Sequence, residues 1–158
     1  MDPEHKIEKQ KSRKRVHHIL AESYTVYLFA FILGLLLSAG WPLKIFENNV
    51  FVGISVIIFL LSSILILWAQ RSSKKLEKEN LTKESFEKGP YRFTRNPTNL
   101  GLFLLVTCFG IIINSFFVVL FTLIAFFISR LFFIKKEEAL LASKYGEPYL
   151  EYKKIVRF

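Results

Sequence analysis

Two short stretches of the chain hold most of the residues able to do chemistry. The first is Gly89-Pro90-Tyr91-Arg92-Phe93-Thr94-Arg95-Asn96-Pro97-Thr98-Asn99-Leu100-Gly101. Gly-Pro forces a turn, and Pro97 disfavours helix at Asn96. Backbone N–H groups are thereby freed from a helical ladder. A helix beginning near Pro97 adds unpaired donors and the positive end of its dipole, which suits a carboxylate-bearing ligand. The plainer reading is a loop that merely re-enters a membrane. The second stretch is Lys135-Lys136-Glu137-Glu138, followed by Leu140-Leu141 and then Lys144-Tyr145-Gly146-Glu147-Pro148-Tyr149-Leu150-Glu151-Tyr152. Glu137 and Glu138 come directly after an apolar run. They read either as carboxylates at a membrane edge that bind a cationic or hydroxyl-bearing group, or as the start of a helix passing into water. Gly146 reads as a helix stop and Pro148 as the opening of a short new helix. Tyr149 and Tyr152 would share a face of it, a pattern that favours packing over catalysis.

Signatures of soluble catalysis are missing. The chain has no GxGxxG, no Walker loop, no HExxH and no CxxC. Its three histidines, His5, His17 and His18, all lie near the N-terminus, which argues against a histidine relay or a metal site elsewhere. The single cysteine, Cys108, sits in an apolar run and has no internal disulfide partner.

The elements that must position these residues follow from composition. The chain has 158 residues, 52% of them hydrophobic, with 17 Phe and a formal net charge of +9. The apolar residues are gathered into long uncharged runs, and the charges fill the gaps. That arrangement excludes a disordered chain and a disulfide-rich module, and it points to a small multi-span membrane protein of one domain. Tyr24 to Gly40 and Val50 to Ala69 are free of charge, and Leu100 to Ile134 carries only Arg130. A single helix of that last length would be about 52 Å, far more than a bilayer core. Its most polar dipeptide is Asn114-Ser115, where a turn is expected. The fold expected is an all-α membrane protein with about four transmembrane helices, near 24–40, 50–69, 97–113 and 116–134. A basic segment 1–22 precedes them, a loop spans 70–96, and a C-terminal segment covers 135–158. Reading the basic start and first apolar run as a signal peptide fits less well, because the run is long and its cleavage site poor.

Lys and Arg alternate between these connections. Six lie in the N-terminal segment, one between the first two runs, eight between Arg71 and Asn99, none at Asn114-Ser115 and six after Ile134. The positive-inside rule then places both termini and the middle loop in the cytoplasm. Nucleic-acid binding is not expected, since the basic residues are dispersed among acids and flank apolar runs. Their ordinary role is topology and attraction to lipid headgroups.

Taken together, GPYRFTRNPTNLG, the apolar hairpin after it and EEALLASKYGEPYLEYKKIVRF resemble the C-terminal core of the isoprenylcysteine carboxyl methyltransferase family, which is grouped with the membrane phospholipid methyltransferases. The resemblance covers Gly89 to Phe158. It implies an integral membrane enzyme that uses S-adenosylmethionine and no metal. The loop and C-terminal segment would cap a cofactor pocket on the cytoplasmic side, and a lipophilic acceptor would enter from the bilayer. Residue by residue, it implies that Tyr91 lines the cofactor pocket, that Arg95, Asn96, Pro97, Thr98 and Asn99 hold the cofactor, and that Glu137, with Glu138 beside it, is a cofactor ligand. Ser85 and Phe86 match a cofactor-contacting strip. Asn99 stands where the family usually has Tyr. Phe133 stands near a substrate-contacting Arg of the prenylcysteine enzymes, with Arg130 one turn earlier as the candidate catalytic residue. The acceptor remains open among thiol, carboxylate and lipid amine. Other readings are a nicotinamide-dependent membrane reductase, a non-catalytic protein on the same scaffold, and a small transporter. The last is disfavoured by the scarcity of polar residues in the apolar runs.

Overall fold

The computed structural model describes residues 3–76 and 89–156, and among them every regular element is helical. Helix α1 covers Pro3–Gly40, and a 3-10 turn at Asn49–Phe51 leads into α2, Val52–Leu76. A second 3-10 turn, Gly89–Arg92, precedes α3, Pro97–Ile112. Helix α4, Phe116–Ile128, then runs through a π-helical turn, Ser129–Ile134, into α5, Lys135–Tyr145, and α6 covers Glu147–Ile155.

Three stretches are long and apolar enough to cross a membrane: Ala21–Gly40, Val52–Ser73 and Phe116–Ser143. Helix α3 is also apolar but shorter; its 16 residues span about 24 Å, against a hydrocarbon core of about 30 Å.

The surface of the bundle is apolar, and its interior mixes small and polar residues with larger ones such as Tyr27, Val106 and Val118. Phe29 is 68% exposed and Leu36 66%. The buried set includes Ser23, Ser55, Ser62, Thr122 and Ser129 beside Ala30, Ala69 and Ala125. Helices in lipid gain little from hiding apolar side chains, which hydrocarbon solvates well. They gain from close packing and from pairing polar groups away from lipid. Gly34 shows the packing: a Cβ there would lie 2.8 Å from the backbone of Val118, so only glycine lets α1 and α4 approach this closely. Ser62 and Thr122 donate to the carbonyls of Ile58 (2.7 Å) and Val118 (2.6 Å) one turn back, which satisfies each hydroxyl within its own helix.

The run Leu100 to Ile134 breaks at Asn114-Ser115. Asn114 takes φ 53°, a left-handed conformation that asparagine tolerates better than most residues. Ser115 caps α4 by accepting from the Val118 N–H at 3.2 Å. Asn114 also sews the turn to the α1–α2 connection. Its Oδ1 accepts from the N–H groups of Ile45 (2.9 Å) and Phe46 (3.0 Å), and its Nδ2 donates to the Phe46 carbonyl (2.8 Å).

The sequence places the end of the fourth apolar segment at Ile134. The helix does not stop there; it passes through Lys135-Lys136-Glu137-Glu138 to Tyr145. Gly146, at φ 62° and ψ −138°, ends it, in a backbone conformation that glycine adopts at little cost and other residues rarely adopt. Pro148 lies in the first turn of α6, which folds back so that Tyr149, Tyr152 and Val156 bury together against Tyr91, Leu141, Ala142 and Tyr145.

Candidate functional site

The loop at Gly89–Asn96 and the segment from Glu137 to Tyr152 meet at one end of the bundle. Tyr152 donates its phenolic hydrogen to the backbone carbonyl of Tyr91 at 2.7 Å. Arg95 Nη1 lies 2.8 Å from Glu138 Oε1, and Lys153 Nζ lies 2.8 Å from Glu138 Oε2. The Arg95 and Glu138 side chains are only 14% and 12% exposed, so this pair is screened less than a surface bridge. Three elements distant in sequence are thus joined by one carboxylate: the loop before α3, the start of α5, and α6.

Glu137, partly buried beside it, lies close enough to Tyr24 and Tyr91 for its charge to act on both phenols. Burial pushes the Tyr91 phenol up to about 12. A hydrogen bond with Ser73 opposes the shift, and the negative charge of Glu137 adds to it. The Tyr149 phenol is also raised, mainly by burial and then by Glu138 and Glu137, with Arg95 acting the other way. Both phenols therefore stay protonated at neutral pH and serve as hydrogen-bond donors, not as bases.

The structure treats the residues named from the sequence differently. Tyr91, Arg95, Glu137 and Glu138 come together in this cluster. Asn96 precedes α3, its side chain makes no cap hydrogen bond, and Pro97 is buried at the helix start. Thr98 is within hydrogen-bonding reach of Tyr24. Arg130 is half-buried on the π-helical turn, about two turns before Glu137. Ser85 and Phe86 lie outside the described residues.

Asn99 lies apart from this cluster. Its side chain is committed between helices. Nδ2 donates to Ser129 Oγ (2.6 Å) and Ser23 Oγ (3.2 Å), and Oδ1 accepts from the Tyr27 hydroxyl (3.2 Å). Both hydroxyls lie on the same side of the amide nitrogen, 2.6 Å from each other, so the side chain faces the junction of α1, α3 and the π-helical turn.

Next to the charged cluster is an apolar cavity of about 430 Å³ between α1, α2 and α3. Leu28, Phe31, Phe59, Leu102 and Phe109 are among its walls, and Tyr24, Gln70 and Thr98 supply polar atoms. Among the described residues no charged side chain lines it. Tyr24 belongs to both regions, since it lines the cavity and feels the charge of Glu137. Reasoning from sequence missed Tyr24, Gln70 and Ser73, together with the Ser23, Tyr27 and Ser129 partners of Asn99. A usable signal was present for some of them: polar residues inside uncharged runs tend to face other helices and not lipid.

The family profile for phospholipid methyltransferase matches residues 48–148. Searches of curated proteins and of solved structures returned no match. The matched region takes in α2, the Gly89–Asn99 loop, α3, α4 and the Glu137-Glu138 pair, and it covers well over half of the chain. The protein is a member of the phospholipid methyltransferase family, with the apolar helices of a membrane protein.

Proposed function

We propose that the protein is a membrane methyltransferase that takes its methyl group from S-adenosylmethionine and passes it to a lipophilic acceptor. The observation that carries this is the convergence of the loop motif and the Glu137-Glu138 motif on one charged, aromatic cluster beside an uncharged cavity. The residues fit the cofactor. Arg95 suits a carboxylate, Glu137 and Glu138 suit an ammonium or ribose hydroxyls, and Tyr91 offers an aromatic face to a sulfonium or a purine. The cavity, walled by Leu and Phe, suits one apolar chain, and Leu28, 58% exposed, lies at its rim. Its polar end at Tyr24 and Thr98 would hold the reacting atom next to the cluster.

When bound, S-adenosylmethionine would supply an electrophilic methyl group, and Arg95, Glu137, Glu138 and Tyr91 would hold it. The chain's part is to orient and to exclude water, which suits a site without histidine. Tyr91 and Tyr149 stay protonated and remove no proton from the acceptor. Tyr152, bonded to the Tyr91 carbonyl, holds the C-terminal segment over the loop. Four crossings, with α3 as the short one, and a cytoplasmic placement of both termini and of the 70–96 loop agree with the alternation of basic residues.

Calorimetry on the purified protein in detergent tests the reading, with S-adenosylhomocysteine as probe. Binding is expected, with NADPH much weaker; the reverse order favours a reductase. Glu137→Gln should weaken binding by about 1.5–3 kcal/mol, roughly ten- to hundredfold. Glu151→Gln, on the exposed face of α6, should change it by less than about 0.5 kcal/mol. Equal, small effects at both positions would remove Glu137 from the site.

A further inference from the structure

A second buried polar group lies inside the bundle, apart from the charged cluster. It is the knot formed by Ser23 and Tyr27 of α1, Asn99 of α3, and Ser129 at the start of the π-helical turn. Besides the three bonds of Asn99, Ser23 Oγ and Ser129 Oγ lie 2.6 Å apart. Ser129 is fully buried, and Tyr27 and Ser23 are nearly so. Such a knot fixes rotation as well as contact, because sliding or turning any one helix leaves polar groups unpaired in an apolar medium.

Its position relative to Glu137 gives it a consequence for the site. Ser129 and Glu137 are eight residues apart. On an uninterrupted α-helix, at 100° per residue, they would point roughly 80° apart. The intervening turn is π-helical, and an i→i+5 turn takes up about one extra residue. Eight residues then act as about seven, which brings Glu137 to within roughly 20° of the face that carries Ser129. That face meets α1: Ser129 bonds to Ser23, and the charge of Glu137 reaches Tyr24, the next residue. The π turn thus aims Glu137, and the knot holds the start of that turn.

We propose that Asn99 is a positioning residue which, through Ser129 and the π-helical turn, sets the direction of Glu137 toward Tyr24 and Tyr91. The cofactor-binding arm of the test rests on the methyltransferase reading; the spectroscopic arm does not. In the first arm, Asn99→Ala should weaken S-adenosylhomocysteine binding roughly tenfold in the wild-type background and by less than about twofold in Glu137→Gln, since residues acting through one another are not additive. A knot that serves only bundle stability would lower both backgrounds equally. In the second arm, the infrared carboxyl band of Glu137 is isolated as the difference between wild type and Glu137→Gln, without cofactor. The same difference taken in Asn99→Ala should show the band shifted. An unchanged band, or additive losses in a wild type that binds, overturns the proposal. A wild type that does not bind S-adenosylhomocysteine overturns the cofactor reading instead and leaves the band to decide the positioning role. Should Asn99→Ala fail to fold, Ser129→Ala takes its place in both arms, as it removes one hydroxyl and leaves Asn99 bonded to Ser23 and Tyr27.

Discussion

The two ends of the bundle are closed by different chemistry. At one end Asn114 joins the α3–α4 turn to the α1–α2 connection with three hydrogen bonds to backbone groups, beside a backbone bond from the Phe116 N–H to the Leu43 carbonyl, and these bonds involve no charged group. At the other, Arg95, Glu138 and Lys153 join the loop to α5 and α6, with Glu137 and several tyrosines gathered around them. A neutral amide satisfying backbone groups is the inexpensive way to hold a turn, since it asks for no desolvated charge. Charges drawn into a partly buried cluster cost more to desolvate, and fold stability alone gives little reason to keep them. Among the described residues such a cluster lies at one end, and that is the end where the proposed site is placed.

Substitutions at the two ends should separate stability from ligand binding, and the largest loss of stability is expected at the neutral one. Asn114→Ala removes three hydrogen bonds and puts alanine at φ 53°. The expected cost is about 2–4 kcal/mol, seen as a lower melting temperature in detergent, with S-adenosylhomocysteine affinity unchanged in the folded fraction. A loss of affinity equal to that of a site variant would abolish the distinction between the ends.

Glu138→Gln comes next. It leaves Arg95 and Lys153 without their shared carboxylate, and the expected loss is about 1.5–3 kcal/mol of stability, scaled down from a fully buried pair because Lys153 is 43% exposed. Unlike Asn114→Ala, it should also weaken cofactor binding, because α6 loses its anchor to the loop. Thermal denaturation and calorimetry on the same preparation read both quantities. A stability loss without a binding loss would make the Arg95–Glu138–Lys153 group a second structural clasp.

The smallest effect concerns the phenol of Tyr91. Its folded pKa of about 12 lies above the ordinary 10.0, so the folded state holds that proton more tightly than the unfolded state. The stability linked to it is fully present below pH 10 and falls as pH rises from about 10 to 12. Ultraviolet titration of tyrosinate should show a late-titrating phenol that is absent in Tyr91→Phe. If the phenol lost in Tyr91→Phe is one that titrates near 10, Tyr91 is as solvated as an ordinary surface tyrosine, and the aromatic wall assigned to the site is open to water.

How far the sequence could be read differs from one part of the site to another. Tyr91, Arg95, Glu137 and Glu138 were legible because each lies in a dense local pattern of turn formers, prolines and charges. Asn99 lies in the same pattern, yet its side chain bonds across the helix interface. A motif specifies backbone position, while the direction of a side chain depends on what packs against it. Tyr24, Gln70 and Ser129 carry a weaker mark: a polar residue in an apolar helix tends to face away from lipid, but it reads alike whether it meets a cavity or another helix.

The sequence by itself determined the helical, membrane-embedded character of the protein, because long uncharged runs admit little else in a bilayer. It determined the break at Asn114-Ser115 and the stop at Gly146 through the local conformational preferences of those residues. Only the tertiary structure decided that the helix continues past Ile134 through a π turn, that Asn99 is knotted to Ser23, Tyr27 and Ser129, and that Tyr24 connects the apolar cavity to the charged cluster. The physical reason is that these features depend on the rotation of one helix against another. Helices apolar on every side carry no periodic signal of their rotation, so a few buried polar pairs fix it, and those pairs exist only once the helices have met.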